Sequence, residues 1–415
     1  MTLVLSEQER RIAAGSDGAA MAMRIVAESA HLLGAPRLIP IASAHIDGAL
    51  YHGDSGTLFA EKLVEGGAQV AVRSTLNVGA LDLAGCARVR LPEPQRGMAR
   101  RMMDAYRKLG CEPSWTCAPY QAGHRPARGT DVAWGESNAV VFCNSVLGAR
   151  TNRYGDFLDI ACAISGRAPD CGLHRPENRR AAVVFDVSQL PPAFLSSEVA
   201  WPVLGSLFGR ELGDAIGVVV GVQEHPGEDA LKAFGAAAGS TGAVGLFHVA
   251  GVTPEARDAS EALGREGPAK RIVVTPEMAS DAKARLATAA GADRIDAVAV
   301  GSPHLSVHEM QQLEALVAGR RLAVPLYACT GRHVLAAFDG GRRKALEAAG
   351  VVIVADTCVV VTPIMPELEA GVLMTNSGKF AQYAPGNTGY AVVYGSMAEC
   401  VESAVRGRPV FASVQ

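Results

Sequence analysis

The sequence has few of the features that mark secreted, membrane-spanning or nucleic-acid-binding proteins. Its nine cysteines are scattered and odd in number, with no CxxC pair among them, so we expect free thiols in a reducing cytoplasm rather than a disulfide framework. We recognise no secretory signal at the N-terminus, and no apolar run approaches the roughly 18–20 residues of a membrane span. The net charge of −3 gives no indication of nucleic acid as a partner.

The composition is instead that of a globular protein, with 49% hydrophobic and 20% charged residues. A chain of 415 residues is too long for one ordinary hydrophobic core. The pattern changes near residue 181. We therefore predict two regions, an N-terminal α/β region 1–180 that holds a dense polar motif, and a region 181–415 in which strands and helices alternate.

The densest group of chemically useful residues lies between residues 135 and 174. Within it an apolar run, residues 139–142, ends in Cys143 and predicts a buried strand that opens into a polar pocket. The segment 150–153, Arg-Thr-Asn-Arg, follows with donors suited to a carboxylate or a phosphate. The predicted substrate-binding residues of this region are Asn144, Ser145, Arg150, Thr151, Asn152, Arg153 and His174.

Two further candidates precede this motif. A strand predicted over residues 37–43 delivers His45 at its end, where a histidine is suited to proton transfer. Ser55 lies at the predicted start of a helix, where orphan N–H groups bind anions. A plain N-cap is the simpler interpretation of Ser55, although we keep it as a candidate substrate-binding residue.

The second region reads as a parallel sheet covered by helices on both faces, the pattern of an α/β fold. The predicted strands are residues 182–187, 216–222, 243–249, 271–274, 295–300, 322–327 and 351–355. The predicted helices between them include residues 228–238, 254–263, 276–290, 306–318 and 333–349.

Ligands of such sheets bind beyond the carboxyl ends of the strands. Ser302 and His304 follow the fifth predicted strand, Cys329 follows the sixth, and Cys358 follows the seventh. Lys379 comes after Ser377 and Gly378, and we expect it to bind an anionic group because glycine lets backbone approach a ligand.

These motifs resemble the aconitase X family, the outlying branch of the aconitase superfamily. The resemblance is carried by GESNAVVFCNSVLGARTNR, GRAPDCGLHRPENR, GSPHLS, ADTC and NSGKFAQYAPGN. Its matches are spread from about residue 40 to residue 387 and so cover most of the chain. It implies an aconitase-like α/β fold of several domains and a hydro-lyase that dehydrates a small hydroxy acid. The predicted catalytic residues are His304, His45 and Ser302.

The resemblance also implies an iron-sulfur cluster, for which about three or four thiolates must converge from the fold. The predicted ligands are Cys143, Cys329 and Cys358, with Cys117 in reserve. Three protein ligands would leave one iron open as a Lewis acid. Archaeal members have a cysteine where this chain has Ser302, so the number of irons in the cluster stays open.

Two substrates compete within the family, cis-3-hydroxy-L-proline, which is dehydrated to Δ1-pyrroline-2-carboxylate, and 5-phosphomevalonate. Cys143 in FCNSVLGART and Ser302 in GSPHLS resemble the hydroxyproline branch. A phosphate substrate would also call for more cationic groups than the sequence offers. A hypothesis of another class is a binding or scaffold subunit without catalytic activity, in which the cysteines are simply buried.

Aconitase-like enzymes have a mobile swivel domain that contributes a catalytic serine, either fused to the main chain or supplied as a separate small subunit. No segment of this sequence matches that domain. If the resemblance holds, the chain is a large subunit whose complete site needs a small swivel partner, and the general base comes partly from it.

Overall fold

The computed structural model describes residues 3–265 and 267–412. The chain divides into two compact units. Unit 1 consists of Met1–Leu81, Leu91–Arg180 and Thr253–Glu255, and unit 2 consists of Asp82–Arg90, Ala181–Val252 and Ala256–Gln415. The main part of unit 1 therefore ends at the predicted boundary, after residue 180. Two short segments lie on the other side of it: Asp82–Arg90 belongs to unit 2 and Thr253–Glu255 belongs to unit 1.

Unit 1 is built from short strands and longer helices. Its strands are β1 (Leu38–Pro40), β2 (Ser43–Ile46), β3 (Arg73–Leu76), β4 (Ala133–Trp134) and β5 (Arg167–Pro169). Its helices are α1 (Glu7–Ala13), α2 (Gly18–Leu32), α3 (Asp54–Glu65), α4 (Glu93–Lys108), α5 (Ser137–Phe142) and α6 (Leu158–Ser165). Strands β3, β2 and β4 form a parallel sheet in that order, and β1 pairs with β5 in antiparallel orientation.

The helices of unit 1 pack in pairs, α2 against α6 and α3 against α4. Helix α4 shows why the sequence forms an amphipathic helix here. Ala99, Met102, Met103 and Tyr106 recur at helical spacing and are all buried, so they form the apolar stripe that faces the core.

The predicted buried strand at residues 139–142 is wrong, because this run forms α5 and continues as a π-helical turn, Cys143–Leu147. The Glu136 carboxylate caps the helix by accepting a hydrogen bond from the Ala139 N–H at 2.6 Å. A run of four apolar residues is too short for its periodicity to distinguish helix from strand.

Unit 2 alternates strands and helices along most of its length. Its strands are β6 (Val183–Asp186), β7 (Gly217–Val220), β8 (His248–Val249), β9 (Lys270–Val273), β10 (Ala297–Leu305), β11 (Leu326–Thr330), β12 (Val351–Ala355), β13 (Val372–Thr375) and β14 (Ala391–Tyr394). Its helices are α7 (Pro192–Leu195), α8 (Ala200–Leu212), α9 (Glu228–Thr241), α10 (Ala259–Leu263), α11 (Pro276–Arg285), α12 (Val307–Val317), α13 (Arg332–Leu335), α14 (Gly340–Ala349), α15 (Gly378–Thr388) and α16 (Met397–Arg406).

These strands form two parallel sheets. The first has the order β8-β7-β6-β9, and the second has the order β12-β11-β10-β13-β14. In the second sheet the chain runs outward from β10 through β11 to β12, and then returns to the other side of β10 for β13 and β14. The order thus reverses at β10, and such a switch point is where open α/β sheets bind ligands.

The structure changes several predicted boundaries. Strand β10 extends to Leu305, so Ser302 and His304 lie within the strand instead of beyond it, and Cys329 likewise lies within β11. The predicted helix 333–349 is divided into α13 and α14, because the Asp339 side chain caps a new helix by accepting from the Arg342 N–H. The predicted strand 243–249 is reduced to β8.

Two helix starts that were predicted from capping side chains are found in the structure. Ser306 and Glu309 form a capping box at the start of α12, with the Glu309 N–H donating to the Ser306 hydroxyl at 3.1 Å. Thr275 caps α11, whose first residue is Pro276. None of the helices formed by residues 3–265 and 267–412 is both long and apolar enough to cross a membrane.

Candidate active site

In unit 2 the thiol of Cys329, near the end of β11, is hydrogen-bonded to that of Cys358, in the loop after the adjacent strand β12. The Cys358 sulfur accepts hydrogen bonds from the Cys329 thiol, from the Val360 N–H and from the Ser302 hydroxyl. These hydrogen bonds, that from Cys329 above all, and the nearby Lys379 ammonium lower the pKa of the Cys358 thiol, although burial opposes them. The structure therefore brings four predicted site residues together.

The loop that carries Cys358 is held in an unusual conformation. Asp356 has a φ of 63°, in the left-handed region that non-glycine residues rarely adopt. Its carboxylate is fully buried and accepts both hydrogen bonds of a bidentate pair with the Arg332 guanidinium, Nη2 to Oδ2 at 2.7 Å. The Thr357 hydroxyl bonds the Thr362 hydroxyl at 2.6 Å. These contacts fix the backbone immediately before Cys358.

His304 supports the same loop from β10. Its Nε2 atom hydrogen-bonds the Thr357 carbonyl oxygen at 3.0 Å, so this nitrogen carries the proton and donates it. The side chain is wholly buried. The geometry makes His304 a residue that positions Cys358, and its predicted part in proton transfer stays a prediction.

In unit 1 the polar side chains of the segment 135–174 mostly form hydrogen bonds with the backbone of the same segment. The Asn144 side chain donates to the Thr151 carbonyl at 2.9 Å and accepts from the Thr151 N–H at 3.0 Å. The buried Arg179 guanidinium donates to the Asn144 side-chain oxygen and to the Asn144 carbonyl, each at 3.0 Å, and forms an ion pair with Glu255. Arg179 was not among the predicted site residues. Its place at the end of the motif GRAPDCGLHRPENR could have indicated it.

Asn152 and His174 are also built into the structure. The Asn152 amide donates to the Cys171 carbonyl at 3.1 Å and accepts from the Leu173 N–H at 2.8 Å. The His174 ring bonds the Asp131 carboxylate through Nδ1 at 2.9 Å and the Tyr154 hydroxyl through Nε2 at 2.6 Å.

The remaining candidates of unit 1 differ in exposure. Arg150 and His174 line a cleft of 580 Å³, in which the buried Nε atom of Arg150 has no hydrogen-bond partner. Arg153 is exposed and Ser145 is buried. Ser55 is exposed in the first turn of α3, whose N-cap is Gly53, so the interpretation of Ser55 as an N-cap is wrong.

His45 ends a chain of buried polar groups in the sheet of unit 1. Its Nδ1 atom bonds the Thr75 hydroxyl at 2.9 Å, this hydroxyl bonds His124 Nδ1 at 2.8 Å, and His124 Nε2 bonds the Ser43 hydroxyl at 2.8 Å. The buried Nε2 atom of His45 has no partner. Burial, reinforced by His124, lowers the pKa of His45 to about 3, so the ring is neutral.

The donor set fits part of an iron-sulfur site. Cys329 and Cys358 are adjacent, and the hydrogen bonds to Cys358 favour the thiolate that a cluster requires. Cys143 and the reserve Cys117 are buried in unit 1, where burial raises the pKa of Cys143. In the described parts of the chain no three His, Cys, Asp or Glu side chains are grouped to hold a metal ion. The third ligand therefore stays a prediction.

Comparison with known proteins gives matches along almost the whole chain. The aconitase X first domain matches residues 2–177, the second domain matches residues 181–284, and the third domain matches residues 295–406. The second and third domains correspond to the two parallel sheets of unit 2.

Curated relatives carry two names. A cis-3-hydroxy-L-proline dehydratase of Pseudomonas aeruginosa is 44% identical over 96% of this chain and 70% of its own length. A protein of the same name from Hypocrea jecorina is 38% identical over 98% of this chain and 69% of its own length. A phosphomevalonate dehydratase large subunit of Methanothermobacter thermautotrophicus is 36% identical over 94% of this chain and 96% of its own length.

A solved structure has the same fold. The holo-form crystal structure of aconitase X from Thermococcus kodakaraensis superimposes with a TM-score of 0.86 at 33% identity, covering 97% of this chain and 100% of the other. The predicted α/β aconitase-like fold is thus confirmed. With three domain models matched in order and relatives of this similarity, the chain belongs to the aconitase X family.

Proposed function

We propose that this protein is a hydro-lyase that converts cis-3-hydroxy-L-proline into Δ1-pyrroline-2-carboxylate. The observation that carries the proposal is the 44% identity with the Pseudomonas aeruginosa dehydratase of this substrate. Relatives named phosphomevalonate dehydratase large subunit reach at most 38% among those compared. We place the reaction in the cytoplasm, where the nine free cysteines would stay reduced.

The reaction removes one molecule of water. A base takes the proton from the carbon that bears the carboxylate, the C–O bond to the neighbouring hydroxyl breaks, and the hydroxyl leaves with a proton as water. The resulting enamine takes up a proton at the carbon that lost the hydroxyl and loses the proton on its nitrogen, which gives the imine product. No oxidant or reductant is consumed, so the protein must supply a base, an acid for the leaving group and a fixed orientation.

Cys329 and Cys358 would hold an iron-sulfur cluster, with Cys143 as the proposed third ligand. A cluster with an open iron supplies a Lewis acid for the hydroxyl that leaves. Ser302 donates its hydroxyl proton to the Cys358 sulfur and so orients this thiolate. The bonds from Arg332 and His304 to residues 356 and 357 keep the thiolate in place.

His45 would contact the substrate as an uncharged side chain, through a hydrogen bond. Because burial keeps its ring uncharged, His45 is a weak base, and its partnerless Nε2 is suited to a hydrogen bond with a polar group of the substrate. We therefore assign the strong general base to a swivel segment. The Pseudomonas aeruginosa relative extends beyond the part matched here by about 30% of its length, which leaves room for such a segment.

The alternative substrate is 5-phosphomevalonate. A specific observation favours it, because this chain covers 94–100% of the lengths of the phosphomevalonate dehydratase large subunits, against 69–70% of the hydroxyproline dehydratases. The division into large and small subunits follows length and does not by itself decide the substrate. The higher sequence identity, 44% with a hydroxyproline dehydratase against at most 38% with the phosphomevalonate dehydratase subunits compared, favours hydroxyproline as the substrate.

The cluster is tested on its own by visible absorption spectroscopy of protein purified and reconstituted without oxygen. We expect charge-transfer bands in wild type and in Cys86→Ala, whose cysteine lies outside the proposed ligand set, and their loss in Cys358→Ala. Identical bands in Cys358→Ala and wild type would remove Cys358 from the site. A wild-type protein that stays colourless would favour the scaffold hypothesis.

A further inference from the structure

An open cleft of 580 Å³ lies in unit 1, and every residue that lines it belongs to this unit. The antiparallel pair of β1 and β5 and a bridge between Asp131 and Arg150 bring its lining segments together. At about 30 Å³ for each water molecule in the liquid, the cleft equals about twenty waters. It therefore has room for a small organic ligand as well as for a single ion.

Arg150 lines this cleft with a guanidinium group that the described part of the chain leaves unpaired. Its Nε atom is buried and has no hydrogen-bond partner. Its two terminal nitrogens also have no partner among the described residues, but they are not buried, so a ligand can reach them. Burial of part of a charged group without a partner costs free energy, which an anion at the terminal nitrogens would offset.

The other two arginines of the cleft share one carboxylate. Asp170 accepts a hydrogen bond from Arg37 Nε at 2.8 Å and forms a second ion pair with Arg175 at 3.3 Å. Two positive charges thus face one negative charge here, and Arg150 adds a third positive charge to the lining. An anionic group next to Arg150 would therefore be attracted by more than one guanidinium.

Two further carboxylates line the cleft and limit the charge of the ligand. Asp131 bonds His174 Nδ1 at 2.9 Å, and Glu177 is exposed. Each of them repels a doubly charged phosphate about twice as strongly as a singly charged carboxylate. A planar carboxylate also matches the two parallel N–H groups of a guanidinium. Ile39 and two prolines line the same cleft and would contact the hydrocarbon part of the ligand.

We propose that this cleft binds the carboxylate of a small organic acid through the terminal nitrogens of Arg150. The site is complete within unit 1 and acts independently of the thiol pair of Cys329 and Cys358. The inference goes beyond the proposed function, which uses none of the residues that line the cleft. The sequence indicated Arg150 as a residue that binds the substrate, whereas the cleft gives it a ligand of its own.

Modification of arginine by phenylglyoxal tests the site at Arg150 itself, because the reagent condenses with the terminal nitrogens of a guanidinium and peptide mapping locates the product. The reconstituted protein would be treated alone and with isobutyrate, with its uncharged amide isobutyramide, or with inorganic phosphate. We expect isobutyrate to slow the modification of Arg150 severalfold, and the amide and phosphate to slow it far less. Arg100, an exposed arginine of the same unit, is the internal control and should react at one rate throughout.

Calorimetry gives a second measurement. The affinity for isobutyrate should fall about tenfold in Arg150→Gln, as the loss of a charge-assisted hydrogen bond implies, and should be unchanged in Arg100→Gln. Equal protection of Arg150 by isobutyrate and isobutyramide, no protection by either, or protection by phosphate alone would overturn the inference. Protection by isobutyrate that persists in Cys358→Ala would support it, whereas protection by cis-3-hydroxy-L-proline that is lost in Cys358→Ala would assign the cleft to the substrate and overturn its independence.

Discussion

Two buried histidines tie the stability of unit 1 to pH. Burial lowers the pKa of His45 to about 3 and that of His124 to about 4, whereas an unfolded chain titrates its histidines near 6.5. Below that value the unfolded state binds protons that the folded state does not. The free energy of unfolding must therefore decrease as the pH falls.

We predict a loss of about 1.4 kcal/mol per pH unit for each of the two histidines as the pH falls below about 6, until the folded-state pKa values are reached. His124→Gln should remove one of the two contributions and flatten the profile. Chemical denaturation at several pH values measures this, with His31→Gln as the control at an exposed position. A profile as steep in His124→Gln as in wild type would contradict the account.

The sequence predicted contacts between residues at strand ends, but it did not predict contacts that depend on the register between strands. Cys329 and Cys358 were predicted to serve one site because each follows a predicted strand of the second region, and their thiols are hydrogen-bonded in the structure. The link between His45 and His124 runs through Thr75, which faces His45 only because β2 and β3 pair with that register. Register depends on how whole strands align, so it cannot be predicted from the few residues around each histidine.

The loop that follows β12 illustrates how an element depends on one ion pair. Asp356 is buried in a left-handed conformation, and Arg332 supplies its charge partner from the start of α13. Asp356 directly precedes Thr357 and Cys358, so its pairing determines where the thiol lies. Neither the conformation nor the pair is visible in ADTC.

Arg332→Met should destabilise unit 2 by about 3 kcal/mol, because it leaves the Asp356 carboxylate buried without a partner. The variant should also lose the cluster absorption, since the Cys358 loop is no longer fixed. Arg285→Met, at an exposed position on α11, is the control. Wild-type stability and absorption in Arg332→Met would show that the pair does not position the loop.

Helices α9 and α12 are joined by the buried Lys232, which bonds Asp229 on its own helix and Glu309 on the other. Lys232→Met should cost about 3–5 kcal/mol, because the two carboxylates then lose the buried cation that they share. Lys270→Met removes an exposed lysine 3.8 Å from Glu211 and should change the free energy of unfolding by less than about 1 kcal/mol. Similar losses in the two variants would contradict the importance of burial.

For the whole molecule, the alternation of strands and helices after residue 181 correctly indicated parallel sheets. It could not show that the strands divide into a sheet of four and a sheet of five, nor that β13 and β14 return to the far side of β10. Strand order is decided by the crossover connections. The switch point at β10 therefore became visible only in the structure.

The dehydration reaction itself tests the account most directly. Reconstituted protein, supplied with the part of the Pseudomonas aeruginosa relative that lies outside the match, would be given cis-3-hydroxy-L-proline and 5-phosphomevalonate in parallel. We predict formation of Δ1-pyrroline-2-carboxylate from the first and no reaction of the second, with activity lost in Cys329→Ala and Cys358→Ala and retained in Cys86→Ala. Turnover of phosphomevalonate alone, or full activity in both cysteine variants, would contradict it.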